Sequence, residues 1–127
     1  MTRRFVFDTG ALVAAERGKA RAVRFLRLVH AGAARIIVPL PVIAEWWRGR
    51  TDVRDEILAA SQVVASVEIA KAAGLALARA RGANATLTID AVVMATAAML
   101  DAVVVTQDPE DFARLAAHFP GVAVLSV

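Results

Sequence analysis

Cysteine and tyrosine are both absent from this 127-residue sequence. Without cysteine, disulfide bonds and thiolate metal sites are excluded, and the chain is compatible with a reducing cytosol. The two histidines, His30 and His118, are isolated and have neither the spacing of a zinc site nor a visible serine partner. We expect both to be ordinary surface or core residues. The chain also lacks a glycine-rich phosphate loop, so nothing indicates nucleotide hydrolysis.

Long hydrophobic runs are missing too. The apolar run at residues 5–7 is too short for a signal peptide. Charge-free stretches such as residues 91–100 fall short of the roughly 20 residues that a membrane span needs. We therefore predict a cytoplasmic protein with no membrane association. With 127 residues and a hydrophobic content of 58%, the chain is expected to fold as one domain, residues 1–127.

The charges are distributed unevenly along the chain. Residues 1–50 contain ten Lys/Arg and three Asp/Glu, a formal charge of +7, whereas residues 51–127 contain five and nine, a charge of −4. A basic half beside an acidic pocket suits an enzyme that binds a polyanion. Arg21, Arg24 and Arg27 have helical spacing, so for them the alternative is an ordinary solvated helix face.

Short apolar segments alternate with helical ones. Strands are predicted at residues 4–7, 35–38, 62–66, 102–106 and 122–125. Helices are predicted at residues 10–16, 19–31, 39–48, 52–60, 67–81, 88–100 and 108–118. Strands that are apolar throughout and alternate with helices predict a three-layer α/β/α sandwich with a central parallel sheet.

Several local details of these helices are also predicted. Ser66 and Thr88 are expected to be N-caps of the helices that follow them. In the second helix, Val23, Leu26 and His30 are expected on one side.

Four acids stand out because of their apolar surroundings: Asp8, Glu45, Asp90 and Asp108. A carboxylate among hydrophobic residues costs several kcal/mol of desolvation unless something pairs it. Four such acids, far apart in sequence, suggest one shared partner, and a divalent cation is the simplest one. Asp8 and Asp108 follow predicted strands, and ligands of parallel sheets lie at the carboxyl ends of strands.

Each acid has a competing structural explanation. Asp8 and Asp108 are both placed to cap a helix, and Asp90 lies in a first helical turn, where the macrodipole favours a negative charge. Glu45 is harder to explain in this way, because it lies in the middle of a predicted helix with no lysine nearby. A purely structural interpretation therefore needs four separate reasons.

Mg²⁺ and Mn²⁺ prefer hard oxygen ligands and need few protein carboxylates. Clustered carboxylates raise one another's pKa, and a bound cation relieves that repulsion. The cation also lowers the pKa of an attacking water and shields the leaving oxygen. Thr106 either holds a ligand through its hydroxyl or is an ordinary β-branched strand residue.

Four segments in order resemble the acidic motifs of PIN domains, most closely the VapC-type toxins of toxin–antitoxin pairs. They are residues 7–11 (FDTGA), 39–45 (PLPVIAE), 89–95 (IDAVVMA) and 105–112 (VTQDPEDF). The resemblance implies an α/β/α sandwich and a Mg²⁺- or Mn²⁺-dependent endoribonuclease. It also implies metal-site roles for the four acids, with Asp8 and Asp90 as direct ligands and Glu45 and Asp108 completing the shell or orienting water. Thr106 would support the site, and Asp111 would either contribute to it or only cap a helix.

The same resemblance implies partners. VapC-type toxins are typically dimers, neutralised by a small VapB-like antitoxin whose tail covers the active site. Trp46 and Trp47 would either contact such a partner or pack in the core. Arg48 and Arg50 would either reach RNA phosphates or pair locally with the acids at positions 52 and 55.

Two other functional classes compete with this interpretation. Residues 7–11 also resemble the active-site signature of retroviral-type aspartic proteases, but that fold is all β and this chain has helical periodicity. The second alternative is a catalytically inactive PIN-like module that binds RNA or protein. Presence of all four acids argues against it, because a lost site tolerates neutral replacements.

Overall fold

The computed structural model describes residues 2–49, 51–80, 84–85 and 87–127. Within these residues, five parallel strands form one sheet in the order β3-β2-β1-β4-β5. The strands are β1 Arg3–Phe7, β2 Ala34–Pro39, β3 Ser61–Val64, β4 Val103–Thr106 and β5 Val124–Ser126. The prediction of a central parallel sheet is therefore confirmed.

Helices connect successive strands and cover the sheet. They are α1 Thr9–Glu16, α2 Ala20–His30, α3 Leu40–Trp46, α4 Asp52–Ala59, α5 Val67–Arg79, α6 Leu87–Leu100 and α7 Ala113–Ala116. This is the predicted α/β/α arrangement. In the described parts of the chain, no helix offers the length of apolar sequence that a bilayer-spanning segment needs.

The centre of the core lies on the two middle strands. Phe5 and Phe7 of β1 point to the same face and meet the ring of Phe25 on α2 edge-on, at centroid distances of 4.8 and 5.5 Å. Val104 and Val105 of β4 are fully buried. Strands covered on both faces have little polar surface, which is why β1 and β4 are apolar at consecutive positions.

Helix α2 buries one stripe of its surface. Ala22 is fully buried, and Phe25, Leu26 and Val29 pack against the core. Of the residues predicted on one side with Val23, Leu26 packs against the core, and His30 is exposed as an ordinary surface residue. The observed spacing of three to four residues is the period of a helix that buries one stripe.

One of the two predicted N-caps is confirmed. The Ser66 hydroxyl accepts a hydrogen bond from the Ile69 N–H at 3.3 Å at the start of α5. Thr88 is not a cap, because α6 already begins at Leu87. The predicted end of the preceding helix at Arg81 lies outside the described residues, as does Gly82, and α5 ends at Arg79.

The predicted last helix, residues 108–118, is divided in the structure. A 3₁₀ turn, Pro109–Phe112, precedes the short helix α7. Asp108 occupies the N-cap position, but its side chain makes no capping hydrogen bond. Its carboxylate is therefore not used by the helix end, contrary to the structural explanation considered for it.

Candidate active site

The acids identified in the sequence lie at the carboxyl edge of the sheet. Asp8 follows β1, and its N–H donates to the carbonyl of Val105 on β4 at 3.3 Å. Asp108 lies just beyond β4, the neighbour of β1 in the sheet. Glu45 is in the last turn of α3, and Asp90 is in the first turn of α6. Elements that are distant in sequence thus deliver these carboxylates to one edge.

Asp8 has two roles in the structure. Its carboxylate accepts a hydrogen bond from the Ala11 N–H at 2.8 Å and so caps α1. It also accepts a hydrogen bond from the Thr106 hydroxyl. Burial raises the pKa of Asp8, these two hydrogen bonds oppose the rise, and the charges of Asp108 and Glu45 add to it. The capping explanation is therefore true, and it is compatible with a place in the site.

Thr106 connects two of the acids. Its side chain is buried, and its Oγ1 accepts a hydrogen bond from the Asp108 N–H at 3.1 Å while the hydroxyl proton is directed to Asp8. It is at once the last residue of β4 and a support for Asp8. The two roles considered for Thr106, an ordinary strand residue and a support for the site, are therefore both observed.

Glu45 is exposed and faces the beginning of α1. The hydroxyl of Thr9, the first residue of α1, donates a hydrogen bond to Glu45 Oε1. Gln107, which follows β4, also reaches the beginning of α1, because its Nε2 donates to the Gly10 carbonyl at 2.6 Å. Sequence reasoning missed both Thr9 and Gln107. Their positions next to Asp8 and Asp108 were the only available signal.

Asp90 is the most strongly perturbed acid of the group. Burial is the main reason that its pKa is raised from 3.8 to about 7, and the charges of Asp8, Asp111 and Glu45 raise it further. Acids from three other parts of the chain therefore lie within electrostatic reach of this one carboxyl.

A polar cleft of about 420 Å³ opens beside Asp90. Its lining residues are Leu87, Asp90, Glu110, Asp111 and Arg114. Asp111 thus faces the same space as Asp90, in addition to lying in the first turn of the 3₁₀ segment. Arg114 brings a guanidinium to this acidic cleft. The sequence analysis missed it, although its spacing of three residues from Asp111 places the two on one side of a helical turn.

Arg48 lies at the end of α3. Its Nε donates to the backbone carbonyl of Glu45 at 3.1 Å, and its side chain is exposed. Among the described residues it forms no salt bridge with Asp52 or Asp55, so the predicted local pairing is not seen for Arg48. A contact of Arg48 with RNA stays a prediction, and Arg50 lies outside the described residues.

The last turn of α3 contacts a partly buried ion pair between Glu16 of α1 and Arg54 of α4. Trp46 is 2% exposed, and its Nε1 donates to Glu16 Oε1 at 3.3 Å. The other oxygen of Glu16 pairs with Arg54 Nε at 2.7 Å. The prediction of core packing is confirmed for Trp46, and Trp47 is half-buried against it at a centroid distance of 5.7 Å.

A model of the PIN domain family matches residues 5–118, a range that contains the whole acidic edge. The chain belongs to the PIN domain family. This agrees with the resemblance of its four ordered motifs. No curated protein matches the chain by sequence.

Two solved structures have a fold similar to that of this chain. A chain of VapBC2 from Rickettsia felis, bound to a DNA fragment of its promoter, has a TM-score of 0.75 at 17% identity, covering 98% of each chain. A chain of DNA-bound VapBC from Salmonella typhimurium has a TM-score of 0.67 at 20% identity, covering 99% of this chain and 98% of the other. At such identities the similarity concerns the fold.

The residues of this PIN domain suit a hard divalent cation in their chemistry. Carboxylate oxygens are the ligands that Mg²⁺ and Mn²⁺ prefer. The pKa values of Asp8 and Asp90 are raised first by burial and then by neighbouring negative charge, and a cation would stabilise the charged form of both. Among the described residues, no three Asp, Glu or His side chains are close enough to hold an ion together. Mg²⁺ does not require three, because it keeps several waters and usually takes one or two carboxylates plus substrate phosphates.

Proposed function

We propose that this protein is a Mg²⁺- or Mn²⁺-dependent endoribonuclease and the toxin component of a type II toxin–antitoxin pair. The observation that carries the proposal is the convergence of carboxylates from separate elements on one edge, where they raise the pKa of Asp90. Membership of the PIN domain family supports it. The sheet edge is open to solvent at Glu45 and Asp108, which are exposed, so a long polymer has access.

In this mechanism Asp8 and Asp90 would hold the cation directly, and Glu45 and Asp108 would complete its shell through bound waters or orient the attacking water. When bound, the cation would polarise the phosphodiester and shield the charge that develops on it. The chain itself holds Asp8 in place through the Ala11 N–H and the Thr106 hydroxyl. Thr9 orients Glu45 in the same way. Fixed ligands cost less reorganisation during the reaction.

The bond change proposed is hydrolysis at phosphorus. Water adds to phosphorus in line with the 3′ oxygen, which leaves and takes up a proton. The products are one RNA fragment with a 5′-phosphate and one with a 3′-hydroxyl. Arg48, next to Glu45, and Arg114, in the cleft of Asp90, are placed to bind phosphates near the scissile bond.

The proposed partners follow from the solved structures of similar fold. Those are VapBC assemblies on DNA according to their titles, and a small VapB-like antitoxin is proposed here for the same reason. We also propose that the protein is a homodimer in the cytoplasm. Each chain would form one PIN-like domain over residues 1–127.

The test is cleavage of structured RNAs with Mg²⁺, Mn²⁺ or a chelator, followed by mapping of product ends. Cleavage is expected only with metal, and 5′-phosphate ends are expected. Glu45→Gln should lose most activity, whereas Glu56→Gln, an exposed helical glutamate outside the site, should retain it. A protein that binds RNA but never cleaves it under these conditions would be the inactive PIN-like module instead.

A further inference from the structure

Helix α2 carries a row of three exposed arginines, Arg21, Arg24 and Arg27, and no acidic residue. Neighbouring members are three residues apart and therefore adjacent on the helix surface. Like charges at this spacing destabilise a helix by about 0.2–0.5 kcal/mol per pair. Arg27 lies in the last turn, where a cation is favoured, but the stability of α2 does not explain Arg21 and Arg24. We call the three residues the α2 arginine row.

Two other arginines, Arg54 and Arg4, have clear structural partners. Arg54 pairs with Glu16 at 2.7 Å, and the Arg4 guanidinium donates to the Leu100 carbonyl at the end of α6 at 2.8 Å. In contrast, no member of the α2 arginine row forms a salt bridge within residues 2–49, 51–80, 84–85 and 87–127. Its charge is therefore not neutralised by the fold.

Helix α2, which carries the row, runs from the carboxyl edge of the sheet to the amino edge. At the start of the helix, Lys19 Nζ donates to the backbone oxygen of Val127 at 2.8 Å, and the Val127 N–H donates to the Thr106 carbonyl at the carboxyl end of β4. Beyond the end of the helix, the Arg3 N–H meets the Ala33 carbonyl at 3.4 Å at the amino end of β1. Arg21 and Arg27 are six positions apart, so the row extends about 9 Å along the helix, away from the acidic edge.

A second basic region lies at the amino edge. A cleft of about 490 Å³ is lined by Thr2, Arg3, Arg4, Arg35, Asp101 and Val103, so three arginines face one acid. Arg4 and Arg35 are register partners on neighbouring strands, and Arg3 stacks over the Phe5 ring at 5.3 Å. Arg35 also lines a cleft together with Val29 of α2, so this basic region lies beside the C-terminal half of the helix that carries the row.

We propose that the α2 arginine row binds the phosphate backbone of the RNA substrate, away from the scissile bond. The inference rests on the proposed ribonuclease function and specifies its substrate as an RNA long enough to reach along α2. A protein partner would need an apolar centre to its interface, and on this face only Leu28 is a large exposed apolar residue of α2, at 37%. Nucleic-acid interfaces are instead dominated by positive charge.

The first experiment measures binding without cleavage. An RNA hairpin with a fluorescent label is titrated by anisotropy into the Asp8→Asn protein, with or without the additional changes Arg24→Glu and Arg27→Glu. The matched control carries Lys71→Glu and Arg79→Glu on exposed positions of α5. Each double variant replaces two cationic side chains by two glutamates, so both variants change the formal charge of the chain by the same amount. We expect at least a tenfold loss of affinity for the row variant and less than a twofold loss for the control.

The salt dependence tests whether the contacts are made to phosphates. Arg24→Gln with Arg27→Gln should lower the slope of log affinity against log salt by about 1.4–1.8, the value for two released phosphate contacts. Circular dichroism and the melting temperature establish that each variant is folded. Equal affinities and equal salt slopes for the folded row variant and the folded control would overturn the inference.

Cleavage kinetics separate this inference from the proposed function. In the otherwise wild-type protein, the row variant should raise KM for the hairpin at least tenfold while kcat stays close to wild type. If the wild type cleaves RNA and the row variant has the same KM as the control, the inference fails alone. If the wild type cleaves no RNA with either metal, the proposed function fails, and the binding comparison still decides whether the row holds RNA.

Discussion

At the carboxyl edge of the sheet the prominent side chains are acids, whereas at the amino edge they are arginines. Helix polarity accounts for the sign of three of these side chains, Asp8, Asp90 and Arg4, but not for Glu45 in the last turn of α3. Asp8 caps α1 and Asp90 lies in the first turn of α6, where helix N-termini favour negative charge. Arg4 binds the carbonyl of Leu100 at the C-terminal end of α6, where a cation is favoured.

The two edges differ in burial. Asp8 and Asp90 are half-buried, and both have a raised pKa because of burial and neighbouring charge. Arg3, Arg4 and Arg35 are exposed and remain in contact with water. The acidic edge is therefore destabilised by its own charge until a cation or a proton arrives, whereas the amino edge carries no comparable strain. The predictions below test that difference.

The largest loss of cleavage activity is expected for Asp8→Asn. Cleavage should fall by more than about a hundredfold, the upper range for loss of a supporting group at a metal site. The fold should survive, because asparagine is as good an N-cap as aspartate. With chelator present, the melting temperature should rise, because one repelling charge is removed. Undiminished cleavage would contradict the assignment of Asp8.

The next largest loss, in metal affinity or activity, is expected for Thr106→Val. This change keeps the shape of the side chain but removes the hydroxyl shared by Asp8 and Asp108. Metal affinity or activity should fall by about 10–100-fold. Thr96→Val is the matched control, because Thr96 is equally buried but its hydroxyl only donates to the Val92 carbonyl within α6. Metal titration by calorimetry measures the difference. Equal metal affinities of the two variants would show that Thr106 is only a strand residue.

A smaller effect is expected in the pH dependence of stability without metal. The folded-state pKa of Asp90 is about 7 and its ordinary value is 3.8, so the folded state binds the proton more tightly. Its contribution to stability is then greatest below pH 3.8 and falls as pH rises to about 7. Asp90→Asn should therefore melt above the wild type at pH 8, with the gap closing towards pH 4. Arg35→Gln, at the amino edge, should show no such pH-dependent gap.

The smallest effect is expected for Arg4→Gln. This change removes the charged group that binds the Leu100 carbonyl, a contribution of about 0.3–1 kcal/mol for a cation at a helix C-terminus. The melting temperature should fall by a few degrees at low salt and by less at high salt, since the interaction is screened. A loss that is independent of salt would indicate packing by the arginine stem instead.

Much of the fold was predictable because its signals are local. Apolar runs before Asp8 and Asp108 predicted β1 and β4, and Ser66 predicted the start of α5. Errors arose where neighbours in space decide the outcome. Thr88 lies inside α6, and the predicted last helix begins as a 3₁₀ turn.

The sequence alone determined the alternation of strands and helices and placed Asp8, Asp90 and Asp108 next to the ends of elements, because backbone periodicity and capping act over a few residues. Only the tertiary structure decided which groups meet. It joined Thr9 to Glu45, placed Thr106 between Asp8 and Asp108, and brought Arg114 to the cleft of Asp90. It also raised the pKa of Asp90, since burial and the charge of distant residues exist only after the sheet has brought its strand ends to one edge.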